Sequence, residues 1–227
     1  WLVDELAAKV DLQFFRNNRN PLDIASWLFK YVAAGASLRT RTTHIMDFLV
    51  NGRKGMKEGF EATCQVASRI AQRLDMPQAV QDALMHVFEQ WDGHGMPYGI
   101  ERETIPVISR IVLVTSFLEV FHRVEGRDAT KEIALARRDK AFDPGVVDAF
   151  LSVAQRETFW TGLERDKVWD SVLSMEPEQS SNRYIGEEKL KDVALAMADY
   201  ADLKSPFLAG RSRRVADLAA LFSKAFR

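Results

Sequence analysis

Apolar residues recur at steps of three and four along most of the chain, the spacing that gathers them on one face of an α-helix. Phe60, Cys64, Ala67, Ile70, Ala71 and Leu74 form one such stripe, and Val80, Ala83, Leu84, Val87, Phe88 and Trp91 a second. Leu190, Val193, Met197 and Ala201 repeat the pattern, as do Val215, Leu218, Phe222 and Phe226. Asp143-Pro144 sets a capping acceptor before a first-turn proline, with Phe142 spaced to staple onto Val147. Ser205-Pro206 repeats that device ahead of the last helix. Nowhere does an alternating strand pattern with hairpin turns occur. The pattern predicts an all-α fold, interrupted by a Gly-rich irregular loop from Trp91 to Thr104 and a polar linker from Glu176 to Ile185.

Composition adds bounds. With 227 residues, 47% hydrophobic and 28% charged, the chain can bury a real core and is not disordered. The interruptions divide it into a body at 1–155, helical turns and a linker at 156–185, and a C-terminal helical extension at 186–227. Lys plus Arg at 31 against Asp plus Glu at 32 leaves a net charge of −1, which argues against a surface that neutralises nucleic-acid phosphates. A single cysteine excludes an internal disulfide and a cysteine zinc site, as expected of a cytoplasmic protein. The most apolar run, Ile111 to Leu118, is too short to span a membrane. A first residue Trp1 and an amphipathic pattern still running at Arg227 suggest a piece of something longer.

Four histidines, His44, His86, His94 and His122, limit any histidine-based metal chemistry. His86 and His94 stand eight apart across a helix end, and the others are isolated, so structural or solvent-facing roles are expected. Cys64 falls on a buried stripe and is expected to pack in the core. The basic clusters Arg39/Arg41, Arg53/Lys54/Lys57 and Arg211/Arg213/Arg214 could each hold a phosphate at a helix end, although solvated helix surface is the commoner role. Glu101/Glu103 and Glu187/Glu188 read as exposed carboxylates rather than an acid–base pair. There is no P-loop, dinucleotide-binding glycine fingerprint or HExxH motif. Spacing alone leads no further than a helical domain.

The run HVFEQWDGHGMPYGI, followed by ETIPVISRIVLVTSFLEVF and AFDPGVVDAFL, resembles the HD-GYP family. The similarity covers roughly residues 55–152 and centres on Trp91, Asp92, Gly93, Gly95 and Pro97, then Ile105-Pro106, Arg110-Ile111 and Phe142-Asp143-Pro144. The family triplet GYP appears as Gly95-Met96-Pro97. The resemblance implies an HD-domain-like helical bundle, which in active members encloses a two- or three-metal site and hydrolyses cyclic di-GMP. At the family's ligand positions this chain has Thr63, Val87, Phe88 and Ser116, and the histidines that precede the family glutamate (here Glu89) are absent. A second resemblance, in ADYADLKSPFLAGRSRRVADLAALF, is to the opening of another such module, with Arg211 where its histidine would stand.

These substitutions imply a degenerate module with no catalytic residues, no metal ligands and no cofactor. Its expected role is regulation, scaffolding or dimerisation in a larger bacterial signalling protein, through self-association or contact with other domains. Two alternatives follow from the resemblance. One is a metal-dependent phosphohydrolase of the cyclic di-GMP type whose site, with its divalent metal, is completed outside this chain. The other is a cyclic nucleotide sensor using Arg110, Arg211, Arg213 or Arg214 on phosphate. No membrane or nucleic-acid partner is expected.

Overall fold

A computed structural model describes residues 7–8, 11–12, 20–163, 168–175, 186–202 and 210–225. The expected linker at Glu176–Ile185, the Ser205-Pro206 cap, Phe226 and the side chains of Glu187 and Glu188 lie outside the described residues. Among the described residues the regular elements are helical: α1 (Pro21–Tyr31), α2 (Leu38–Arg73), α3 (Gln78–Met85), α4 (Val107–Glu125), α5 (Arg127–Arg137), α6 (Pro144–Val153), α7 (Glu157–Leu163), α8 (Val168–Ser174), α9 (Glu187–Asp202) and α10 (Arg211–Ala225), with a 3-10 turn at Arg102–Thr104. The all-α expectation holds. No helix among these residues is long and apolar enough to cross a membrane.

The helix starts follow from local chemistry. Asn20 accepts from the Leu22 amide at 3.0 Å to cap α1, and Ser37 accepts from Thr40 at 3.3 Å to cap α2. Asp143 caps α6, its Oδ1 accepting from Gly145 at 2.7 Å and Val146 at 3.4 Å, with Pro144 in the first turn. Phe142 and Val147 are both fully buried in one cluster, the staple that the spacing predicts.

Two cores result. Leu113, Val114, Phe117 and Leu118 of α4 pack with Ala134 of α5 and with Phe142 and Val147, while Ile111 and Val112 on the other side of α4 are exposed. The second core joins Trp27, Leu28 and Val32 of α1 to Ile45 and Phe48 of α2. At 36 residues α2 is about 54 Å long, so it reaches from the second core to α3. Ser109 of α4 donates to the Ala83 carbonyl at 2.8 Å, both groups buried, and this locks α4 to α3.

Three expectations need correction. The stripe from Val80 to Trp91 predicts one helix, but α3 ends at Met85. The amides of Trp91 and Asp92 are bonded instead to the carbonyls of Ala141 (3.1 Å) and Lys140 (3.0 Å), which a continued helix would forbid. On α9 the predicted stripe is turned outward. Leu190 and Met197 are 60% and 69% exposed, and the inward side carries Ala196, Asp199 and Asp202. On α10, Val215, Leu218 and Phe222 are exposed rather than buried.

Gly55 and Gly59 lie in the interior of α2, where an added Cβ meets nothing within 4 Å. Replacing either by alanine removes a backbone-entropy cost without a clash. We expect Gly55→Ala and Gly59→Ala each to raise the unfolding free energy by about 0.5–1 kcal/mol, read from urea midpoints at unchanged m-value.

Candidate functional site

The irregular segment after α3 is held from the inside by Glu89. Its side chain is 1% exposed, and both carboxylate oxygens are used: Oε1 accepts from the Tyr98 amide at 2.7 Å and Oε2 from Gly99 at 3.0 Å. Burying such a group is tolerable only with partners of this kind. The same loop is closed by the Met96 amide donating to the Phe88 carbonyl at 3.2 Å, and the Met96–Pro97 peptide is cis. Gly95 is obligatory by contact. A Cβ there would sit 2.2 Å from the Gln90 nitrogen and 2.4 Å from the Glu89 Cα. Gly93 adopts φ +76°, the left-handed region that favours glycine.

A second anchor holds the loop from outside. Trp91 Nε1 donates to Asp139 Oδ1 at 3.2 Å, and the Arg110 guanidinium lies over the Trp91 ring at 5.6 Å from its centroid. Arg110 Nη1 donates to Asp143 Oδ2 at 2.6 Å, with side chains only 17% and 8% exposed. Trp91, Arg110, Phe142 and Asp143, separate in sequence, thus meet in one network that joins the loop to α4 and α6. Ile105 beneath it is fully buried. The residues on which the resemblance rests are those that shape this loop.

The positions that the resemblance assigns to metal ligands behave differently. Thr63 and Ser116 are exposed, and each hydroxyl donates to its own helix, Thr63 to the Gly59 carbonyl at 2.9 Å and Ser116 to Val112 at 2.7 Å. Val87 and Phe88 lie half-buried in the turn after α3, and the Phe88 ring packs on Phe60 at 4.7 Å between centroids. Aliphatic and aromatic carbon offers no lone pair, and the two hydroxyls are neutral, weak donors. These residues do not fit a divalent metal. Among the described residues no group of three or more His, Cys, Asp or Glu is placed to hold one. The histidines are dispersed. His86 contacts Tyr98 edge-on at 5.5 Å with a buried Nδ1 that lacks a partner, His94 is exposed with its Nδ1 beside the Asp92 carbonyl, and His122 stacks on Trp160.

The basic candidates are not brought together either. Arg110 is engaged by Asp143 and Arg213 by Asp199, while Arg211 and Arg214 stand exposed at the start of α10. Glu101 and Glu103 are exposed as expected. Sequence reasoning passed over Glu89 as a structural centre and missed Asp139 altogether. An acidic residue among apolar neighbours was the available signal for Glu89. Cys64 is 1% exposed, and burial, with the Glu89 charge nearby, pushes its thiol up to about 11.

Comparison with known proteins bears on the family. The HD domain family matches residues 52–146. An HD domain thus accounts for the middle of the chain, and the chain as a whole is similar to HD-family phosphodiesterases. It is 28% identical over 221 residues, 94% of its length and 47% of the relative's, to a 3'3'-cGAMP-specific phosphodiesterase of Vibrio cholerae. It is 33% identical over 69 residues to a probable cyclic di-GMP phosphodiesterase of the same organism, covering 28% of this chain and 16% of that one. A crystal structure of a V. cholerae cyclic GMP-AMP-specific phosphodiesterase superposes with TM-score 0.68 at 26% identity, over 89% of this chain and 49% of that one. The chain therefore spans about half the length of the first relative and less of the second. The HD bundle accounts for the fold, and the loop network described above lies within the matched residues 52–146.

Two outcomes follow from the geometry. Arg110→Met leaves Asp143 buried with backbone donors only, and should lower the unfolding free energy by about 3 kcal/mol, while Gly95→Ala forces the loop backbone apart at a similar cost. Both are read from chemical denaturation. The Cys64 thiol should resist labelling at pH 8 in the native state. Because its folded value lies above the ordinary 9.0, the unfolded chain gives up that proton first, and stability should fall as pH rises from about 9 toward about 11.

Proposed function

We propose that this chain is a non-catalytic HD-domain module that serves a larger signalling protein as a regulatory, scaffold or dimerisation element, working through contact with other domains or a second copy. The observation that carries this reading is the state of the ligand positions. Thr63 and Ser116 turn their hydroxyls back onto their own helices, and Val87 and Phe88 present hydrocarbon. Phosphodiester hydrolysis by an HD site needs metal ions to generate hydroxide and clamp the phosphoryl oxygens, so a site without donors has no route to that reaction.

The relatives favour a second reading. Their names describe cyclic dinucleotide phosphodiesterases, and the match to one of them runs along 94% of this chain. On that reading the chain is part of a cyclic dinucleotide phosphodiesterase whose metal ligands lie outside it.

Elemental analysis of the purified chain after loading with Mn²⁺ or Fe²⁺, alongside a hydrolysis assay, tests the non-catalytic reading of this chain. We expect bound metal well below one ion per chain and no hydrolysis of cyclic GMP-AMP or cyclic di-GMP. A tightly held ion at or above unit stoichiometry, or turnover of either nucleotide by this chain alone, sinks the non-catalytic reading.

A further inference from the structure

A second convergence of charge lies where α9 and α10 meet the end of α2. Asp199 of α9 accepts from Arg213 of α10 through Nε at 2.7 Å and Nη2 at 2.6 Å, and also from Arg73, the last residue of α2. Close by, Asp202 is 7% exposed and takes the Ser212 amide at 3.1 Å and the Ser212 hydroxyl at 2.6 Å, satisfying a donor at the start of α10. Lys189, toward the other end of α9, pairs with Asp75 just beyond α2. All these contacts draw the charged side of α9 inward.

The consequence is an inverted amphipathic helix. On α9 Ala196 is buried and Val193 and Leu195 are half-buried, whereas the larger apolar stretch of Leu190, Met197 and Tyr200 is exposed. On α10, Val215, Leu218, Leu221 and Phe222 are exposed as well. Hydrophobic burial by itself favours the opposite orientation, with Leu190 and Met197 turned in. The ion cluster is the feature that holds the observed one.

We propose that Arg73, Asp199 and Arg213 form an ionic latch, which holds the α9–α10 pair against α2 with its charged side inward and its apolar stripe presented outward. Releasing the latch turns that stripe toward α2. One carboxylate serves guanidinium groups from two other helices, so its loss removes both ion pairs at once and leaves α9 tied by Asp202–Ser212 and Lys189–Asp75. The pairs are about one-third exposed, which keeps them responsive to ionic strength. The inference is independent of whether the HD module is catalytic.

The test uses the full chain carrying a single reporter thiol, Met197→Cys on the exposed side or Ala196→Cys on the buried side, with buried Cys64 as the control for an intact fold. At low salt the Met197→Cys thiol should label fast and the Ala196→Cys thiol slowly. Adding Asp199→Asn should lower the ratio of the two rates roughly tenfold, the response expected for losing two partly exposed ion pairs. Raising NaCl from about 0.05 M to about 1 M, where the Debye length is about 3 Å, should move the ratio the same way in the chain that retains Asp199. A ratio unchanged by salt while Cys64 stays protected overturns the latch, whatever the variant does. So does an unchanged ratio in a folded Asp199→Asn variant.

Discussion

The carboxylate of Glu89 is the constraint around which the HD body is arranged. A side chain 1% exposed has no water to satisfy it, so its oxygens must find donors in the protein, and they find the Tyr98 and Gly99 amides. That requirement bends the chain back on itself within ten residues. In the same stretch α3 has ended at Met85, Gly95 lies against the Glu89 backbone and Trp91 reaches across to Asp139 and Arg110. From there the Arg110–Asp143 pair continues into the cap of α6 and so into the main core. One buried group thereby links the irregular loop to regular structure on both sides.

On the non-catalytic reading proposed above, this arrangement accounts for a scaffold that stands without metal ligands. Trp91, Arg110 and Asp143 act on each other, and Gly95 packs against the Glu89–Gln90 backbone, so these contacts are made within the protein. Of the positions that the resemblance assigns to ligands, Thr63 and Ser116 sit on exposed helix faces, and Val87 and Phe88 are half-buried in the turn after α3. A threonine or serine on an exposed helix face closes a bond to the carbonyl four residues back and leaves the packing unchanged. Phe88 adds apolar area against Phe60, a gain of up to about 1.5–3 kcal/mol for a large side chain that is fully buried and less for one that is half-buried. The fold therefore draws little from these four positions, whereas losing the loop network would cost it the connection between α3, α4 and α6.

How much of this was legible in the sequence depends on whether a feature is local. The Asp143-Pro144 cap and the Phe142–Val147 staple are written in adjacent residues and appear as read. The end of α3 is not local. Nothing between Val80 and Trp91 breaks the helical period, and the carbonyls that take the Trp91 and Asp92 amides, at Ala141 and Lys140, lie some fifty residues away by simple count along the chain. Glu89 stood inside the recognised motif, yet its role depends on amides that only the folded loop brings within reach. Arg110 looked like a free cation in the sequence, because the carboxylate that engages it, Asp143, was already accounted for as a helix cap.

The C-terminal helices extend the same lesson to packing. A period of three and four shows that a helix has an apolar face, but it does not say which neighbour that face meets. On α9 the competition is between Leu190 and Met197 on one side and Asp199 and Asp202 on the other, and the charged side lies inward because Arg73, Arg213 and Ser212 are waiting for it. Those partners hold Asp199 below the ordinary carboxylate range, chiefly through the Arg213 hydrogen bonds and then through Arg73, and Ser212 does the same for Asp202. A carboxyl whose folded value is lowered stabilises the fold above the ordinary 3.8 and loses that contribution as pH falls below it. The orientation of α9 is thus set by groups that keep their charge at neutral pH, and the apolar stripe faces out as the consequence of that ionic preference.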